Sequence, residues 1–108
     1  MINLQRTAMF VAVADTGSFT AAAEAMGLTK AVVSFNIRQL EDELGVTLLL
    51  RSTRRLTLTE AGRLFHQRSV ALLKDAERLK DDVRANHAGL TGELRITTTP
   101  EYGSQVVV

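Results

Sequence analysis

Apolar residues recur every three or four positions from Leu4 to Ala14. Leu4, Ala8, Val11 and Ala14 form one stripe, which Phe10 and Val13 widen. That period predicts a helix over 4–16. Gly17 follows as a left-handed stop, and Ser18 can cap the next helix through its side-chain oxygen. The second helix, 19–26, is built on Ala21, Ala22, Ala23 and Ala25. Small side chains let helices approach closely, and Phe19 and Met26 supply the larger contacts. Gly27 ends this helix. Thr29 then caps a third helix over 30–44, with Leu28 and Val33 at the two positions of a hydrophobic staple. Val33, Ile37, Leu40 and Leu44 make its buried stripe, and Gly45 is its stop.

Beyond Gly45 the pattern changes. Residues 46–50 (VTLLL) and 56–58 (LTL) read as strands, and RSTRR between them makes a hairpin tip. No Asn-Gly or Asp-Gly pair specifies the turn type. Thr59 caps a long fourth helix over 60–88, with Glu60 placed to suit the positive end of its dipole. At 1.5 Å per residue that helix runs roughly 43 Å, more than so small a domain can cover. Phe65, Leu72 and Leu79 recur every seven residues, with Ser69, Ala76 and Val83 interleaved. This is a seam of a and d type, imperfect at Ser69, and Lys74, Asp75, Arg78, Lys80 and Asp81 cover the outside. The seam either meets a second copy or lies on its own domain. A linker, 86–92, precedes ELRITT (93–98), which alternates like a strand but has no partner before Pro100 and Gly103 interrupt it.

Two short helices joined by Gly-Leu-Thr and followed by a hairpin with a cationic tip are the plan of a winged helix-turn-helix. The expected fold class is mainly α: three helices plus a two-stranded wing, then a long linker helix. Residues 1–58 form the winged domain and 59–89 the helix. Residues 90–108 form a hinge and the first strand of a further domain, so the chain reads as the front part of a longer protein.

Composition narrows the chemistry. The chain has 108 residues, 45% of them hydrophobic, with four Phe, one Tyr and no Trp, so its core is aliphatic. No cysteine is present, which excludes disulfides, thiolate metal sites and Cys nucleophiles. Asp15 interrupts the apolar N-terminal run too early for a signal peptide. No stretch approaches the roughly 18 apolar residues of a membrane span. The expected setting is cytoplasmic. His66 and His87 lie far apart without carboxylates at ligand spacing and read as surface residues. No phosphate loop, nucleophile elbow or metal motif occurs, so neither enzyme activity nor a cofactor is expected.

The formal charge is only +1, but its distribution is polar. Arg51, Arg54 and Arg55 crowd the hairpin tip, while Glu41, Asp42 and Glu43 cluster near the end of the third helix. A polarised module can bind phosphates without a basic average. Lys30, Ala31, Ser34, Phe35 and Arg38 share a face about a third of a turn from the Val33/Ile37/Leu40 stripe. Lys30 and Arg38 can reach phosphate or guanine acceptors, and Ser34 can donate to several bases. Phe35 either meets a thymine methyl or folds back onto the second helix. The three arginines either contact phosphate and the minor groove or remain a solvated hairpin, and Arg51 has the further option of pairing with an acid above it. Thr20 can offer its hydroxyl to a phosphate at a helix start, or remain solvated. Thr29, at the start of the third helix, joins the candidate set.

Three segments carry a family likeness: SFTAAAEAMGLTKAVVSFNIRQLEDELG, then GVTLLLRSTRRLTLTEAG, then GELRI. Over residues 2–98 the chain resembles the N-terminal part of the LysR-type transcriptional regulators. Their pattern of Ser-Phe, paired alanines, a leucine-Ser/Thr turn, Val-Ser, Ile-x-x-Leu-Glu, Leu-Gly, Leu-Phe-x-Arg and Leu-Thr-x-x-Gly is nearly complete here and in order. The resemblance implies a bacterial activator or repressor that binds duplex DNA as a homodimer, or a dimer of dimers, on interrupted inverted repeats. It implies a linker helix paired antiparallel with its mate, and a small-molecule effector bound only by the C-terminal domain. Residues matching Lys30, Ala31, Ser34 and Phe35 approach bases in that family, and the residue matching Arg54 enters the minor groove. The chain departs from the pattern at Phe35, where the family often has Arg, and at Leu49, where it has Phe. A protein-interaction module built on the long helix as a coiled-coil surface is the competing expectation.

Overall fold

The computed structural model describes residues 2–52 and 55–91. The expectations for Arg54 and for the strand at 93–98 lie outside those residues. The chain divides into a first unit that ends at Leu73 and a second that begins at Lys74.

Helix α1 spans Leu4–Thr16, and Asn3 caps it by accepting a hydrogen bond from the Arg6 amide. Its buried residues are Thr7, Met9, Phe10 and Val13, while Leu4 is exposed. The core face is therefore rotated from the stripe of Leu4, Ala8, Val11 and Ala14. The bulkier Met9 and Phe10 take the interior. Thr7 joins them because its hydroxyl donates to the Asn3 carbonyl at 2.9 Å, leaving no unpaired polar group in the core.

Helix α2, Phe19–Met26, starts where the Ser18 hydroxyl oxygen accepts from the Ala21 amide. It buries Ala22 and Ala23, and Phe19 packs beside them, whereas Met26 is exposed in the last turn. Gly27 leaves the helix at φ 68°, a conformation that costs an L side chain roughly 1–2 kcal/mol. The Leu28 amide then donates to the Ala23 carbonyl at 2.8 Å and closes the turn. Helix α3, Lys30–Leu44, is capped by Thr29, whose hydroxyl oxygen accepts from the Val32 amide. Val33, Ile37 and Leu40 are fully buried, and Leu28 and Leu44 pack against that core.

The wing pairs β1, Leu49–Arg51, with β2, Leu56–Leu58, antiparallel, with Leu50 opposite Thr57. The first strand thus begins three residues later than the apolar run suggests. The Glu41 carboxylate accepts from the Leu48 and Leu49 amides at 2.7 and 3.2 Å, while the Leu48 carbonyl accepts from the Thr59 amide at 3.0 Å. A carboxylate holding two amides also ties the end of α3 to the wing.

Helix α4 runs Glu60–Thr91, through the linker expected from Asn86 onward. Gly89 falls in the last turn of that helix, where a glycine costs little. The Thr59 hydroxyl accepts from the Gly62 amide at 2.9 Å and donates to the Thr47 carbonyl, so one residue starts α4 and fastens it to the wing. A Cβ at Gly62 would run into the Leu48 carbonyl, so only glycine permits this approach. Phe65 packs edge-on to Phe10, with centroids 5.4 Å apart. In the second unit Leu79 and Val83 are exposed, and Lys80 lies 3.7 Å from Glu77 one turn away.

Candidate nucleic-acid interface

The outer face of α3 follows from its inner one. With Val33, Ile37 and Leu40 sealed, a spacing of about 100° per residue puts Ala31 and Phe35 on the opposite side. Ala31, Lys30 and Arg38 are exposed, Ser34 is half-buried, and Phe35 is 58% exposed. The ring therefore does not fold back onto α2. Thr29 sits at the head of this face with its oxygen engaged in the cap; its hydroxyl proton remains available to an acceptor. Asn36 is engaged internally. Its side-chain oxygen accepts from Arg6 Nε at 3.1 Å, and its amide donates to the Val32 carbonyl at 2.8 Å.

The wing and the start of α2 meet. Arg51 ends β1, and its guanidinium carbon lies 4.6 Å from the Phe19 ring centroid. Among the described residues it stacks on this ring and pairs with no acid. Stacking leaves the in-plane N–H groups of a guanidinium free to donate. Ser52 and Arg55 close the turn, each donating a backbone amide to the other: Ser52 to the Arg55 carbonyl, Arg55 to the Ser52 hydroxyl oxygen. Arg51, Ser52 and Arg55 line a hollow of about 240 Å³ with Ser18 and Phe19. The exposed Thr20 follows Phe19 in the first turn of α2. Arg51 and Arg55 thus bring two cationic side chains to one hollow beside the start of α2.

The seam residues of α4 separate. In the first unit Phe65 is half-buried against Phe10 and Ser69 is buried at 2%, whereas Leu72 is exposed. In the second unit Ala76 is half-buried, and Leu79 and Val83 are 66% and 60% exposed. His66 is not a plain surface residue: its Nε2 lies 2.8 Å from Asp15 Oδ1, linking α4 to the end of α1.

Three contacts escape sequence reasoning: Arg51 with Phe19, Arg6 with Asn36, and His66 with Asp15. Each joins residues about thirty or more positions apart, and no periodicity encodes a pair at that distance. Among the described residues no group of three acids or histidines could hold a metal ion, and no helix is long and apolar enough to cross a membrane.

Residues 4–63 match the model of the bacterial regulatory helix-turn-helix proteins, lysR family. The chain is 44% identical over 101 residues to the HTH-type transcriptional regulator PtxR of Pseudomonas aeruginosa, covering 94% of this chain and 32% of that protein. The chain thus spans about a third of the length of the curated relatives it matches. Among solved structures it is similar to the BenM DNA-binding domain in complex with benA site 1 DNA, with TM-score 0.78 and 32% identity over 82% of this chain and 99% of that one. It is also similar to the CbnR DNA-binding domain in its DNA complex, with TM-score 0.76 and 34% identity over 80% and 99%.

Proposed function

Because the chain belongs to the lysR family of bacterial regulatory helix-turn-helix proteins, we propose that it is the DNA-reading part of a transcriptional regulator. It binds duplex DNA in a sequence-specific manner as a homodimer, and as a dimer of dimers in a longer protein. It is a binding protein rather than an enzyme, and it acts in the cytoplasm. Residues 1–58 read the DNA, 59–89 pair two copies, and 90–108 lead into a domain that senses a small molecule.

One observation carries this reading. The outer face of α3 is exposed, bears Lys30 and Arg38, and belongs to the same unit as the hollow lined by Arg51 and Arg55. A recognition helix supplies contacts to base edges, and arginines beside it supply register on the backbone. The relatives support the same assignment: BenM and CbnR DNA-binding domains are solved as DNA complexes. One winged unit offers too few base contacts for strong specificity. Leu79 and Val83, exposed in the second unit, supply a pairing surface for a second copy.

Binding-site selection on randomised duplex DNA tests the proposal. Wild-type chain enriches two related half-sites in dyad arrangement. Arg54→Ala weakens binding to the selected and to unrelated duplexes alike and lowers the salt slope by about one. Failure to enrich any sequence, with no binding to duplex DNA even at low salt, contradicts the reading.

A further inference from the structure

The geometry points to 5-methyl groups of thymine as what the centre of the α3 face reads, with Phe35 as the specificity-determining residue. This rests on the DNA-binding reading above and goes beyond it by naming the base-edge chemistry.

The inference starts from what that face lacks. A purine is read in the major groove by paired donors and acceptors from Asn, Gln or Arg. Asn36 is the amide in the first two turns of α3, and both ends of its side chain are occupied by Arg6 and the Val32 carbonyl. Freeing it breaks two hydrogen bonds. Lys30 and Arg38 lie along one side of the face and carry charge, which suits phosphate or guanine there. Its middle, directly opposite the buried stripe, holds Ala31 and, one turn on, Phe35. Neither has a polar side-chain atom.

An isolated exposed apolar residue is ordinary on a protein surface. Phe35 differs in its surroundings. Its ring is 58% exposed, with Lys30 and Arg38 on one side of it around the helix and the exposed Val32 on the other. An apolar protein partner gains nothing from Lys30 and Arg38, whereas duplex DNA presents phosphates to them and an apolar group to the ring. The apolar group on the major-groove edge is the thymine methyl, for which a Phe ring that reaches into the groove is a suitable contact.

The test removes the methyl and nothing else. The selected duplex is remade with each thymine replaced in turn by deoxyuridine, which keeps base pairing. Binding of the 108-residue chain is then measured by fluorescence anisotropy. At one thymine of each half-site wild type loses about fourfold, the factor expected from one buried methyl, and about fifteenfold when both half-sites are changed. Phe35→Ala binds the natural and the substituted duplexes equally. Because Phe35 is exposed, the variant keeps its helical circular dichroism. Sequence-specific binding by wild type that no deoxyuridine weakens overturns the inference and leaves the DNA-binding reading standing. A deoxyuridine penalty that persists in Phe35→Ala assigns the methyl contact elsewhere and also overturns it. Absence of sequence-specific binding overturns both.

Discussion

Ile37 and Leu79 carry isomeric side chains, yet Ile37 is fully buried in the first unit while Leu79, in the second half of α4, is 66% exposed. Hydrophobicity is equal, and the difference is the number of elements that can close over each. Around Ile37 the chain supplies α1, α2 and the wing, each with an apolar face of its own. Around Leu79 the described residues of the second unit supply one helix, and one helix cannot bury its own stripe. The winged unit closes its own core, whereas Leu79 and Val83 in the second unit are left exposed among the described residues.

The most severe way to probe this contrast is truncation on each side of it. Ile37→Ala removes atoms from a sealed core and lowers unfolding free energy by about 2–5 kcal/mol, measured by urea denaturation. Leu79→Ala changes the same quantity by no more than about 0.5 kcal/mol when measured at a concentration where copies dissociate. Equal losses would mean that Leu79 is packed by its own chain. A finer probe lies inside the winged unit. Phe19→Leu keeps an apolar contact with the core but removes the ring under Arg51. DNA affinity falls by about 0.5–1 kcal/mol for every sequence alike, read by anisotropy, because the guanidinium is no longer held in place. A loss confined to particular sequences would place Phe19 among the base-reading groups instead.

The contrast also explains what could be read from the sequence. Local chemistry was visible. Ser18, Thr29 and Thr59 cap as their positions suggest, and the turn at Gly27 follows from helix ends that need a left-handed residue. The α3 stripe is equally clear, because Val33, Ile37 and Leu40 continue to Leu44, whereas the other apolar residues, Ala31, Val32 and Phe35, stop after Phe35. In α1 two sets compete, and the winner depends on the Asn3 carbonyl that makes burial of Thr7 tolerable. The hold of Glu41 on the amides at the start of β1 is a contact between elements, which no local pattern encodes. On the candidate site, the outward direction of Lys30, Ala31 and Arg38 is a consequence of the stripe and so was accessible, whereas the sequence left Phe35 open between facing outward and folding back onto α2. The seat of Arg51 on Phe19 and the internal engagement of Asn36 are tertiary contacts without a local pattern.

Sedimentation velocity of the chain on its selected duplex, beside the double variant Leu79→Asp, Val83→Asp, addresses the division of labour between the two units most directly. Wild type should sediment as two chains per duplex. The double variant should sediment as one, with its helical circular dichroism intact and its preference between operator and unrelated DNA much reduced. A wild-type complex holding a single chain, or a double variant that still binds as a pair, would contradict the assignment of DNA reading to the winged unit and pairing to the exposed stretch of α4.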